Sequence, residues 1–424
     1  IFSAGRASCL PIQVQVLSLT YGAVTNLTAG QMTAIGTLVG QQELNLKAKQ
    51  LEIEQVGQLA SGVKASLNVE GKVTNKGLIS AETLGLYADS LDNSGQVQAG
   101  EATFQTRILQ NQGDVTAVNG LSVQTGALDN SGRIASAGEL NVQAERLNGQ
   151  DGELYGRTTT IRAGQVVSTG QLVGQERLTV TADQLHIGQD DVVASVGETS
   201  LTAEKLTNAG EVTGQQTHVQ AGELTNSGKL QGQQAIIQAE VLTNSGQLAG
   251  QADLSVTADQ LTNSGLLVGE QAVTLKAEQL QQTGQVVGTQ LNVDAATLIN
   301  SGQMAAIDRL TLKAGQLQNA QGGVISGKQV STQSEQLTNQ GTIAAEEALQ
   351  IDTGVLTGAE GTLYGRTAAV TAKRADSVGT MIGETALNLD VQDLNIEAAG
   401  QVVTQGTANV KADTLSNAGQ LQAD

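Results

Sequence analysis

Apolar and polar positions alternate over short stretches of this chain, and the alternation restarts at a fixed interval. In residues 224–241 the apolar positions are Leu224, Leu230, Ala235, Ile237, Ala239 and Val241. From Ala235 to Ala239 they alternate one by one, the period of a strand with one buried face. Between Leu224 and Leu230 lies Thr-Asn-Ser-Gly, a turn signal. Gly228 is expected to supply a backbone angle that a side chain forbids, and Gly232 marks a second bend. Three short strands and three bends per interval describe one coil of a parallel β-helix. No stretch shows the 3.6-residue period with caps that a helix needs.

The interval is set by one short motif, Leu-x-Asn-x-Gly-x-apolar. It stands at Leu224, Asn226, Gly228 and Leu230, then at Leu242, Asn244, Gly246 and Leu248, then at Leu261, Asn263, Gly265 and Leu267. Successive copies are 18, 19 or occasionally 20 residues apart. A fixed period of this length predicts a stack of like units, each unable to bury its apolar face alone. The expected fold is therefore all-β, a parallel β-helix of about 22 coils with a period near 19 residues. At the bend, Asn is expected to stack on Asn as a structural amide ladder rather than a ligand site. The ladder positions are Asn75, Asn93, Asn111, Asn130, Asn208, Asn226, Asn244, Asn263, Asn300, Asn339 and Asn417. Gln282 occupies the Asn place in its own unit, and the unit at Leu317 is stretched to Asn-Ala-Gln-Gly-Gly, which predicts a bulge or longer bend.

The organisation expected is an irregular or truncated start at 1–12 and one continuous repeat array over 13–424. Variant coils are expected at 13–72, 147–205 and 356–414. The second and third variants open on LNGQDGELYGR and LTGAEGTLYGR, which place Tyr155 and Tyr364 209 residues apart. Blocks of coils duplicated in register fit an open-ended stack. Both ends read as cuts through a longer array, because neither shows a capping unit.

Composition narrows the function. The chain has 424 residues, a net charge of −19, one Cys, one Pro and no Trp. An acidic balance argues against nucleic acid and against an anionic membrane surface. No run of 18 apolar residues exists, so membrane insertion is not expected. Cys9 alone forms no internal disulfide and no thiolate zinc site. His186 and His218 fall on different coils, and no phosphate-loop, dinucleotide or zinc-protease motif is present. No cofactor, metal or catalytic residue is expected. A polysaccharide-degrading β-helix enzyme would need carboxylates on long loops and aromatics for sugar stacking, which short bends and few aromatics do not supply.

Runs such as LTNSGQLAGQADLSVTADQLTNSG resemble the repeats of filamentous haemagglutinins, large exoproteins that Gram-negative bacteria export by two-partner secretion. The group includes adhesins and contact-dependent growth-inhibition exoproteins. The resemblance implies a right-handed β-helix filament, secreted to the cell surface through an outer-membrane transporter. It implies a shaft that projects an adhesive or toxic module, with a target-cell receptor or glycan met through other parts of the protein. The alternative is an adhesin that binds a receptor or glycan through its own lateral surface. Tyr155 and Arg157, with Tyr364 and Arg366, are the surface contacts that alternative would use, since inward Leu154 turns both neighbours outward. A row of acids before the leading Leu, including Asp89, Glu240, Asp259 and Glu278, reads as a solvated face or a cation site.

Overall fold

In the computed structural model the described residues are Ala7–Ser8, Gln13–Val16 and Thr20–Ala423. The expected irregular start therefore lies almost wholly outside the described residues, as does Cys9. The chain divides into two compact units, Ile1–Gln215 and Gln216–Asp424. Each is built from parallel strand ladders. The described residues wind through about 21 turns with a period of about 19 residues and no helix.

One pair of turns in the second unit shows how the sequence makes the coil. Lys229–Asn244 pairs with Gln247–Asn263 in parallel. The pairing comes in three runs: Lys229–Gly232 on Gln247–Gly250, Gln234–Ala239 on Asp253–Ala258, and Val241–Asn244 on Gln260–Asn263. The breaks between runs are the corners. One follows Gly232. One falls at Glu240 and Asp259. The third is Ser245–Gly246. These are the Gly corner, the acid corner and the Asn corner. The same three breaks recur between Gln247–Asn263 and Leu266–Gln282.

Stacking in register makes the core. Leu230, Leu248 and Leu267 form one buried column, and Ile237, Val256 and Leu275 another. Leu242, Leu261 and Leu280 form a third. Burying each such side chain is worth roughly 1.5–3 kcal/mol. Val241 belongs to the apolar pattern but faces out at 39% exposure, because it sits one step past the acid corner and out of phase with Leu242.

The corner glycines are needed for a different reason than a turn angle. Gly246 and Gly265 have ordinary negative φ; the positive-φ glycines are Gly170, Gly322 and Gly358. A Cβ on Gly265 would overlap the carbonyl oxygen of Gly246, and one on Gly246 that of Gly228. The first unit repeats this, with Gly113 over Gly95 and Gly95 over Gly77. So Gly246, Gly265 and their equivalents in the first unit serve close stacking, and the special backbone angle expected at this motif position is not what they provide.

Not every Asn corner is short. A longer form closes with an N–H to C=O bond across four residues: Gly57 to Glu54 at 2.8 Å, Gly152 to Gly149 at 2.9 Å and Asp191 to Gly188 at 3.1 Å. Gly323 to Ala320 and Gly400 to Glu397 close in the same way, each at 2.9 Å. In three of these turns the residue that opens the corner is a buried Ile, namely Ile53, Ile187 and Ile396. After Ile187 the buried Asp191 carboxylate seals the corner. It accepts from the Gly188 N–H at 2.8 Å, the Thr169 N–H at 2.9 Å and the Ser168 hydroxyl at 2.9 Å.

Candidate functional site

The feature that the turns build most consistently is the column at the Asn corner. In the first unit the Asn75 Nδ2 donates to Asn93 Oδ1 at 2.6 Å, Asn93 to Asn111 at 2.7 Å, and Asn111 to Asn130 at 2.8 Å. In the second unit Asn226 donates to Asn244 and Asn244 to Asn263, both at 2.7 Å. Asn263 then donates to Gln282 Oε1 at 2.7 Å. A second run joins Asn300, Asn319 and Asn339 at 2.8 Å per step. All these side chains are buried. Every bond points the same way along the chain, amide nitrogen to the oxygen of the following turn.

Each Asn also closes its corner. The Asn75 carbonyl accepts both corner N–H groups of the next turn, from Ser94 at 2.8 Å and Gly95 at 2.9 Å. The second Nδ2 hydrogen finds a backbone carbonyl, as Asn111 does at Gly113 at 3.1 Å and Arg133 at 3.2 Å. A buried polar column of this kind stabilises only because its donors are met.

The column includes a residue outside the expected set and leaves one of that set exposed. Asn319 is a full rung, although two extra residues in the long corner 320–323 hide it from the short motif. Asn208 is buried and stands over Ile187, as Asn75 stands over Ile53. Asn417 stands over Ile396, is exposed, and accepts from the Gly419 N–H at 3.0 Å.

The Tyr-Gly-Arg positions lie on the outer surface. Leu154 is buried, Tyr155 is half-buried and Arg157 is exposed. The Tyr155 hydroxyl lies 3.5 Å from Gln175 Oε1 on the next turn. Tyr364 is likewise half-buried, and the Arg366 guanidinium lies 4.0 Å from Glu384. Tyr155 and Arg366 thus each face a polar side chain of the following turn.

Glu240, Asp259 and Glu278 are exposed at successive acid corners. Among the described residues, no group of three His, Cys, Asp or Glu side chains is arranged to hold a metal ion. Asp89 is instead paired with Arg107 on the following turn at 2.9 Å, and that bond holds its carboxyl below the usual range. Other surface ion pairs also step from turn to turn, such as Arg133–Glu153 at 3.0 Å and Arg177–Glu198 at 3.2 Å. Exposed pairs of this sort add little to stability, because solvent screens them. Asp376 is held by two side chains. Asn395 donates to it at 2.8 Å and Arg374 at 2.6 Å, and these bonds, that from Asn395 first, lower its pKa.

Comparison with known proteins bears on what such a stack is. The profile of the family described as Haemagglutinin repeat matches residues 17–77, 80–173, 158–235, 230–305, 286–390 and 383–424. A tRNA nuclease CdiA of Escherichia coli is 28% identical over 194 residues, covering 34% of this chain and 6% of the relative. A 16S rRNA endonuclease CdiA of Enterobacter cloacae is 28% identical over 189 residues, covering 43% and 5%. A Deoxyribonuclease CdiA of Dickeya dadantii is 31% identical over 186 residues, covering 38% and 6%. The matched part is thus a small fraction of each relative's length. No solved structure matches. These likenesses make the region a shaft segment of a large exoprotein, secreted to the surface of a Gram-negative bacterium. By its repeats along nearly the whole sequence, the chain belongs to the haemagglutinin-repeat family.

Proposed function

We propose that this chain is a spacer in its exoprotein, holding an adhesive or toxic module away from the producing cell and toward a target cell. One observation carries the reading. Along residues 229–282 successive turns present the same inward columns and a like amide corner to one another, so length is added or removed there by whole turns without changing the chemistry of the stack. A site that reads a small ligand needs convergent, unlike groups, whereas here the conserved geometry is spent between turns. Export through an outer-membrane transporter follows from the two-partner secretion setting of the family. The target-cell receptor or glycan is met by other parts of the exoprotein.

The test is done in the parent exoprotein. Removing residues 245–263 joins Asn244 to Ser264 and should leave export and the effect on target cells intact. If that variant is exported and folded but no longer engages target cells, the region itself carries the contact and the spacer reading fails.

A further inference from the structure

Two asparagines of the chain are followed by glycine, Asn119 and Asn148. The backbone nitrogen after an asparagine can attack that residue's own side-chain carbonyl, and glycine, having no Cβ, hinders the attack least. A given site reacts only if its amide and the nitrogen after it are loosely held.

The comparison asparagines are held. At the rungs Asn111 and Asn130 the side chain is buried in the column, and the nitrogen that follows is tied to the turn before. The Gln112 N–H donates to the Asn93 carbonyl at 2.8 Å and the Ser131 N–H to the Asn111 carbonyl at 2.9 Å. At Asn148, which is half-buried, the Gly149 N–H donates to the Ser168 carbonyl at 2.8 Å, and Asn148 Oδ1 accepts from the Gln150 N–H at 3.4 Å.

Asn119 is set differently. It is exposed, and among the described residues its side-chain amide has no hydrogen-bond partner. With Val118 it makes the corner between two paired runs. Ala117 pairs with Ala99 and Ser136, Gly120 pairs with Glu101 and Glu139, and the two residues between pair with neither turn. A Cβ on Gly120 would meet only the Glu139 carbonyl oxygen, at 4.0 Å, so the backbone there has room to turn.

We propose that Asn119–Gly120 is a self-modifying site of the folded chain. Solvent base takes the Gly120 amide proton, and the nitrogen attacks Asn119 Cγ. The new C–N bond closes a succinimide ring as the Cγ–Nδ2 bond breaks, and ammonia leaves. Water then opens the ring at either carbonyl, giving aspartate or isoaspartate with no change of oxidation state. Isoaspartate lengthens the backbone by a methylene. It does so where the next turn is pressed close, since a Cβ on Gly138 would overlap the Asn119 carbonyl oxygen. The modified turn should therefore pack less well on the turn that follows. This chemistry belongs to the first unit and is independent of the spacer reading.

The folded 424-residue chain is aged in warm, mildly alkaline buffer, then unfolded, digested with trypsin and read by mass spectrometry, with isoaspartyl methyltransferase labelling to mark isoaspartate. Residues 108–133 form one tryptic peptide that carries Asn111, Asn119 and Asn130, and residues 147–157 carry Asn148. Deamidation is expected at Asn119 ahead of the other three, faster as pH rises, and several-fold slower in Gly120→Ala, whose Cβ has room. Asn119→Gln, which keeps an exposed amide on a longer arm, should stay unmodified at that position. The aged parent should melt below the fresh one, and the aged Gly120→Ala chain should not. Deamidation of Asn148 or of a rung first overturns the inference. So does an Asn119 that stays intact while a synthetic peptide of residues 116–123 converts, a rate that Gly120→Ala leaves unchanged, or a converted parent that melts like the fresh one.

Discussion

Gln282 and Asn300 are register partners at the Asn corner, yet their side chains are not bonded. Gln282 Nε2 reaches the Gln303 carbonyl at 3.4 Å, and the buried Asn300 Oδ1 is left without a donor. The extra methylene of Gln carries its amide past the position from which an Asn donates forward. The column of the second unit is therefore broken in two at this step. A buried acceptor without a donor costs about 1–3 kcal/mol. Gln282→Asn should join Asn263 to Asn300 through one continuous column and stabilise the protein by about 1 kcal/mol. Urea unfolding measures it; a lower midpoint for the variant would mean the break is not the origin of the orphaned oxygen.

Within an intact run the opposite change should hurt. Asn244→Ala takes the acceptor from Asn226 Nδ2 and the donor from Asn263 Oδ1, both buried. The expected loss is about 2 kcal/mol, larger than for a typical surface change. Asn417→Ala, at an exposed corner over Ile396, should move the midpoint by less than about 0.5 kcal/mol. Equal effects at the two positions would separate stability from the column.

The corner glycines give a steric test. Gly265→Ala places a Cβ against the Gly246 carbonyl, so it should destabilise by about 2–3 kcal/mol. Gly322 has open space around its Cβ position but a φ of +81°. Gly322→Asn should therefore be tolerated better than Gly322→Val, since Asn adopts left-handed φ more readily. A Gly265→Ala variant that melts like the parent would mean neighbouring turns part more easily than their packing implies.

How much of this was legible in the sequence varies with the residue. The column at Asn226, Asn244 and Asn263 is visible because Leu, Asn and Gly keep fixed offsets. Asn319 escapes because its corner is two residues longer, which shifts the following Gly out of phase. The sealing of the Ile187 corner by Asp191 has no signature, since nothing in a single turn says that a carboxylate four residues on will meet Ser168 of the turn before. The glycines were visible but their reason was not: overlap with the turn below exists only once turns are stacked.

Acid should reveal Asp376. Its pKa is lowered by the bonds from Asn395 and Arg374. A lowered carboxyl stabilises the fold above its unfolded pKa of about 3.9, and that contribution is lost as pH falls through the folded value. Between about pH 5 and pH 2 the parent should lose more stability than Asp376→Asn does. Parallel acid limbs for the two proteins would show that the carboxylate is not held in the folded state.

The interchangeability of turns is tested most directly by comparing two deletions of the isolated chain in thermal melts followed by far-ultraviolet circular dichroism. Removing residues 245–263 takes out one whole turn and brings Asn244 into the place of Asn263, directly before Ser264. Removing only 254–263 takes out half a turn and sets outward positions against inward ones. The whole-turn deletion should keep the parallel-strand spectrum and melt within a few degrees of the parent, while the half-turn deletion loses a cooperative transition or melts far lower. If both deletions melt alike, turns are not interchangeable units and the spacer account is contradicted.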